Sequence, residues 1–135
     1  MNIVYPYLSF NGNCREAMTF YQQCLGGKLY FQTIGESPNT ERLPARMKKC
    51  ILHAELRSGE FIIMGSDMVG ENGLKKGNAV TLMLNCKNEK GIKTCYHNLS
   101  RGGDQTHPLG LTHWGSLFGG VTDKYGFHWL LTIKK

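Results

Sequence analysis

The chain has 135 residues, 41% of them hydrophobic and 19% charged, which suits one ordinary core and excludes a disordered or low-complexity protein. No apolar run nears the roughly 18 residues of a membrane helix, and the start Met1-Asn2-Ile3-Val4-Tyr5-Pro6 lacks the basic and apolar regions of a signal peptide. The net charge of +6 is scattered over Arg46/Lys48/Lys49, Lys75/Lys76 and Lys134/Lys135. A nucleic-acid binder would more often carry a basic stripe interleaved with aromatics, so the expectation is a cytoplasmic protein without nucleic-acid or membrane partners, with some bias toward anionic small ligands.

Val4 to Phe10 (VYPYLSF) has large side chains on both faces and predicts a strand, placed at a sheet edge or at a break in pairing because Pro6 cannot donate to a ladder. Asn13 followed by Glu16 resembles a capping box. Cys14, Ala17, Met18, Tyr21 and Leu25 then make one apolar helical stripe, stopped by Gly26-Gly27. Lys28 to Ile34 is β-rich. The segment 35–49, with two prolines and no usable period, predicts a long mobile loop. Cys50 to Leu56 alternates, with Ile51, His53 and Glu55 on one face and Leu52, Ala54 and Leu56 on the other, and turns at Ser58-Gly59 into Phe61 to Gly65. A polar, glycine-bearing linker (67–78) follows.

The second half repeats the plan. Ala79 to Cys86 predicts a strand. Ile92, Cys95, Tyr96 and Leu99 mark a helix that ends at Gly102-Gly103. A Pro108-containing connection leads to a strand around Leu117 to Val121, a turn from Asp123 to Gly126, and a last strand, His128 to Ile133. Asp123 opens that turn by accepting backbone N–H bonds, and Gly126 closes it with a positive φ. The two Gly-Gly stops register the halves against each other. The fold class is therefore α+β: two tandem βαβββ modules, about 1–66 and 79–135 of a single domain, forming a cupped, barrel-like mixed sheet around a cavity with helices outside.

The cysteines are odd in number and none pair as C-x-x-C, so Cys14, Cys24, Cys50, Cys86 and Cys95 read as structural thiols, with Cys50 at the end of a basic loop beside Lys48 and Lys49 that could lower its pKa. No G-x-S-x-G, Walker or dinucleotide fingerprint occurs. Among the histidines, His53 shares a strand face with Glu55, and His107 and His113 bracket the approach to Trp114.

Tyr7-Leu8-Ser9-Phe10-Asn11-Gly12-Asn13, Phe20-Tyr21, Leu25-Gly26-Gly27, His53-Ala54-Glu55-Leu56, Ser66-Asp67, Trp114-Gly115 and Asp123-Lys124-Tyr125-Gly126-Phe127-His128-Trp129 together resemble the glyoxalase/bleomycin resistance/dioxygenase (vicinal oxygen chelate) superfamily, and within it the PhnB-like branch. That branch is often labelled as related to a 3-demethylubiquinone-9 3-methyltransferase. The likeness covers nearly the whole chain. Metal-dependent members place His and Glu ligands on inward strand positions; carried onto this chain, those positions are Pro6, about Met64, the region Asn78 to Val80, and Leu130. None is a His, Glu or Asp, so the resemblance implies a protein without the usual divalent metal and without a cofactor.

The reading is of a homodimer that binds a small organic molecule in an apolar cavity walled by Leu8, Phe10, Met64, His107, Trp114, Phe118 and Trp129. Two alternatives stand beside it. One is a glyoxalase- or dioxygenase-type enzyme with relocated ligands drawn from His53, Glu55, His107 and His113. The other is an interaction module that uses the basic surface.

Overall fold

A computed structural model describes residues 1–70 and 72–133. The chain forms two compact units, Met1–Leu74 and Lys75–Lys135. The first contains β1 (Tyr7–Ser9), α1 (Cys14–Leu25), β2 (Lys28–Thr33), a 3₁₀ turn (Ile34–Glu36), α2 (Ala45–Lys48), β3 (Ile51–Arg57) and β4 (Ile62–Ser66). The second contains β5 (Leu82–Cys86), α3 (Glu89–Leu99), β6 (Asp104–Leu111), β7 (Leu117–Thr122) and β8 (His128–Ile133). The sheets run β1-β4-β3-β2 and β5-β8-β7-β6. In each the first and last strands of the unit pair in parallel, and the other pairs are antiparallel. The α+β class and the tandem βαβββ plan are thus present, and the internal repeat extends to strand order.

In the first unit, α1 buries Cys14, Ala17, Met18 and Tyr21, as its stripe predicts, with Phe20 and Cys24 beside them. It packs on the sheet face that carries Ala54, Leu56, Ile63 and Gly65; a Cβ on Gly65 would come within 3.1 Å of the Phe10 ring and 3.4 Å of the Met18 sulfur. The predicted capping box does not form. Asn13 makes no side-chain cap bond. Instead Asp67, just past β4, accepts from the Gly12 N–H at 3.0 Å and the Cys14 N–H at 2.9 Å with one oxygen, and from the Ile51 N–H at 2.8 Å with the other. A carboxylate from across the fold thus caps α1, favoured by the positive end of the helix dipole.

Three further features bear on the segments around the prolines. β1 covers only Tyr7–Ser9 and lies at an edge, consistent with Pro6 before it. The 35–49 segment holds a 3₁₀ turn and α2. It is tied by bonds that no periodicity reveals: Thr40 Oγ1 to the Ser37 carbonyl at 2.9 Å and Lys48 Nζ to the Glu41 carbonyl at 3.0 Å. The Pro108 connection is instead strand β6, which tolerates proline because it is an edge strand with register shifts on both sides of His107.

In the second unit, Ile92, Tyr96 and Leu99 of α3 are buried, and the Tyr96 ring lies 2.8 Å from where a Gly119 Cβ would stand. The Asp123 turn forms as predicted: Oδ1 accepts from the Tyr125 and Phe127 N–H groups at 2.9 and 3.1 Å, and Gly126 has φ of 90°. Lys134 and Lys135, one of the predicted basic groups, lie outside the described residues.

Candidate functional site on the helix-free sheet faces

Each sheet has one face against its helix and one face away from it. Strand register fixes which side chains occupy the second. In the first unit, Tyr7, Met64, Glu55 and Tyr30 stand side by side in one row across β1, β4, β3 and β2. In the second, Met83, Leu130, Gly120 and His107 form the corresponding row across β5, β8, β7 and β6. The two rows are equivalent strand for strand. Met64 and Leu130 therefore occupy the same place in the two units.

The first row carries a polar chain. Tyr7 Oη lies 3.5 Å from His53 Nδ1, with ring centroids 5.8 Å apart. His53 Nε2 is 3.9 Å from a Glu55 oxygen, and Arg57 donates to the other Glu55 oxygen at 3.0 Å. His53 and Glu55, which share a strand face, thus approach each other without a hydrogen bond. Arg57 holds the carboxylate, which leaves His53 between a phenol and a carboxylate, a pattern able to exchange hydrogen bonds with a polar group of a ligand.

The second row is apolar with one imidazole. His107 packs edge-on against Phe118 with centroids 5.2 Å apart. Gly120 is closely packed between them, since a Cβ there would meet Thr106, His107 and Leu130 at 3.1, 3.2 and 3.4 Å. Thr122 Oγ1 and His128 Nδ1, 2.8 Å apart, add a polar pair along the same sheet.

The seven wall residues predicted from sequence divide by face. Met64, His107 and Phe118 lie on helix-free faces. Leu8 pairs with Gly65, and both it and Phe10 are buried on the α1 side. Trp129 is 3% exposed on the α3 side, where its indole N–H donates to Asp123 at 2.8 Å. The parity inferred for β1 is thus off by one residue, with Tyr7 facing away from the helix, and on β8 only Leu130 of the adjacent pair Trp129-Leu130 does so; Leu8, Phe10 and Trp129 pack beneath the helices. Trp114 is 64% exposed at the tip of the β6–β7 hairpin, edge-on to His113 at 4.6 Å. Tyr7, Tyr30 and Met83 were missed. Alternation in β3 separates His53/Glu55 from Ala54/Leu56, but the neighbours of that face on β1 and β2 follow only from register.

No three His, Cys, Asp or Glu side chains among the described residues gather as a metal-ion set. A separate cleft of about 520 Å³ in the first unit is lined by Arg15, Thr33, Gly35, Ala45, Lys48 and Lys49. The Arg15 guanidinium there stacks 4.7 Å over the Phe31 ring.

Comparison with known proteins bears on the whole chain. The family described as 3-demethylubiquinone-9 3-methyltransferase matches residues 2–132. Protein YjdN of Escherichia coli K12 is 34% identical over 96% of this chain and 94% of its own length. Protein PA1353 of Pseudomonas aeruginosa superposes with a TM-score of 0.86 at 36% identity, over 99% of this chain and 98% of that one. A PhnB protein of Bacillus cereus gives 0.77 at 29%, over 98% and 100%. A glyoxalase/bleomycin resistance protein of Albidiferax ferrireducens T118 shares the fold, with a TM-score of 0.64 at 14% identity over 98% of each chain. The chain belongs to the PhnB-like family described as 3-demethylubiquinone-9 3-methyltransferase, and it has the fold of glyoxalase/bleomycin resistance proteins.

Proposed function

We propose that this protein binds a small organic molecule against the helix-free faces of its sheets, without the divalent metal of chelate-type relatives, and does so as a cytoplasmic homodimer. The observation that carries the reading is the pair of equivalent rows, with Met64 and Leu130 at matching positions. A thioether and an alkyl group, in a donor set completed by Pro6 and the region Asn78 to Val80, do not fit a divalent cation that wants imidazole and carboxylate. They do fit an apolar ligand body. Tyr7 and His53 supply polar groups on the face of the first sheet, and His107 on that of the second, the usual division of labour in a ligand site.

The family description names a methyl transfer, and the fold gives it little support. Methyltransferases of the common class bind their donor at a glycine-rich turn of a parallel sheet, whereas three of every four strands here meet a neighbour only or partly in antiparallel pairing. A second reading is favoured by the basic cleft: Arg15, Lys48 and Lys49 suit an anionic group, so a ligand with a carboxylate or phosphate could dock there instead.

A thermal-shift screen of small aromatic and aliphatic acids, alcohols and amides tests the proposal. A ligand at a hundred times its dissociation constant stabilises the protein by about 2.7 kcal/mol. The shift should survive EDTA and disappear in Met64→Lys or Phe118→Lys. Loss of the shift with EDTA would instead support the metal-dependent enzyme with ligands from His53, Glu55, His107 and His113. Loss only in the Lys48→Glu/Lys49→Glu double variant would move the site to the cleft.

A further inference from the structure

The cleft of about 520 Å³ in the first unit is lined by three cations, Arg15, Lys48 and Lys49, with Thr33, Gly35 and Ala45 between them and no acid. Local structure gathers residues that are far apart in sequence. Arg15 comes from the first turn of α1 and Thr33 from the end of β2. The chain then turns through Ile34–Glu36, and α2 packs back on that turn. Gly35 permits the approach, since a Cβ there would stand 3.0 Å from the Lys48 Cβ and 3.2 Å from its carbonyl oxygen. The Ile34 N–H donates to the Cys50 carbonyl at 2.9 Å and closes the base of the segment. The basic residues of this segment therefore sit on a folded wall.

None of the three cations is neutralised. The Arg15 guanidinium lies over the Phe31 ring at 4.7 Å, Lys48 Nζ donates to the uncharged Glu41 carbonyl at 3.0 Å, and among the described residues no ion pair uses Arg15, Lys48 or Lys49. The Thr33 hydroxyl likewise makes no hydrogen bond among the described residues. A solvated basic surface explains an exposed lysine such as Lys49 taken singly. It does not explain three unpaired cations on one concave surface, one of them already held flat against an aromatic ring.

We propose that this cleft binds the phosphate monoester of a small organic molecule. The proposal rests on the basic-cleft reading given above and names the ligand class. A carboxylate carries one negative charge and would leave most of the positive charge uncompensated. A phosphate monoester carries about −1.5 to −2 near neutral pH and offers three acceptor oxygens. The guanidinium edge of Arg15 suits two of them in a fork, Lys48 and Lys49 act as point charges, and the Thr33 hydroxyl donates to the third. The cleft is also within the size range of small-molecule sites, so a phosphoryl group fills only part of it and the organic remainder lies against Ala45 and Gly35. Phe31 pairs with Ala54, on the side covered by α1. The cleft is therefore on the opposite side of the first sheet from the row Tyr7, Met64, Glu55 and Tyr30, and the two sites fill independently.

The test titrates phenyl phosphate, inorganic phosphate, benzoate and phenol separately into the nitrogen-15-labelled protein at about pH 7.5, where the ester is largely a dianion. Phenyl phosphate should shift the Thr33, Gly35, Ala45 and Lys49 amides saturably and bind more tightly than inorganic phosphate or benzoate, and phenol should leave them in place. Arg15→Gln and Lys49→Gln should each weaken phenyl phosphate about tenfold. Lys90→Gln, which removes an exposed cation of α3 outside the cleft, should leave the affinity unchanged. The wild-type titration decides the matter even where a variant folds poorly. Shifts centred on Tyr7, Glu55 and Met64 would overturn the proposal, as would undiminished affinity in both cleft variants. Benzoate or inorganic phosphate binding as tightly as the ester would overturn the monoester assignment while leaving an anionic cleft. Cleft amides unmoved by all three anions would remove the basic-cleft reading as well.

Discussion

At the scale of single residues, two aspartates organise backbone N–H groups, Asp67 across the first unit and Asp123 within its own turn. Asp67 joins the start of α1 to the start of β3 through three backbone N–H groups. Asp67→Ala should cost about 2–3 kcal/mol in urea unfolding, since it removes a charged acceptor and strands its donors. Asn13→Ala should stay within about 0.5 kcal/mol, because that side chain caps nothing. A capping box would give the reverse ranking. Asp123, 3% exposed, holds its own turn and the Trp129 indole. Asp123→Ala should cost about 3 kcal/mol, and in a Trp114→Phe background the Trp129 emission should shift to the red as its buried indole loses its partner.

Cys14 adds a pH dependence. Burial, reinforced by the Asp67 carboxylate and opposed by Arg15, raises its thiol from an ordinary 9.0 to about 12. The folded state keeps a proton that the unfolded chain releases. The contribution is therefore complete below about pH 9 and is lost as pH rises toward 12, with a limiting slope of about 1.4 kcal/mol per pH unit. Cys14→Ala should flatten the stability profile in that window relative to wild type, measured by urea unfolding at closely spaced pH values.

At the scale of elements, close approach of helix and sheet sets the tolerance to change. Gly119 lies under Tyr96 of α3, and an added Cβ would meet the ring at 2.8 Å. Gly119→Ala should destabilise by about 1–3 kcal/mol as α3 is pushed from the sheet. Gly110, on edge strand β6 with nothing within 4 Å of the added Cβ, is the control, and Gly110→Ala should be near neutral. Both are readable by thermal and urea unfolding.

Elements were legible in the sequence where one face of a period is buried. The α1 and α3 stripes, the β3 alternation and the Asp123 turn all read directly, because each depends on residues within a few positions. What was not legible depends on partners far along the chain. Asp67 replaces Asn13 as the cap from over fifty positions away. Pro108 sits inside a strand because β6 is at an edge, a fact of sheet order. The face of β1 follows from its parallel register with β4, in which Tyr7 meets Met64; VYPYLSF, large on both sides, carries no such signal.

At the scale of the whole molecule, the chain is a tandem of two units with one strand order, and the Gly-Gly marks that align the halves in sequence point to that repeat correctly. Among the described residues no helix is long and apolar enough to cross a membrane. The candidate site was half legible. The resemblance singled out Met64 and Leu130, and register makes them equivalent, but it also drew in Leu8, Phe10 and Trp129, which serve the cores.

The methionines offer a direct probe of the central claim, because they sample every surface under discussion: Met64 and Met83 on the helix-free faces, Met18 under α1, and Met47 in α2 next to cleft residue Lys48. With the methyl groups labelled with carbon-13, titration of a thermal-shift hit in EDTA should move the Met64 or the Met83 resonance, according to the sheet face it occupies, and leave Met18 and Met47 in place. Movement of Met47 alone, or movement of Met64 only when a divalent metal is restored, would contradict metal-free binding on the sheet faces.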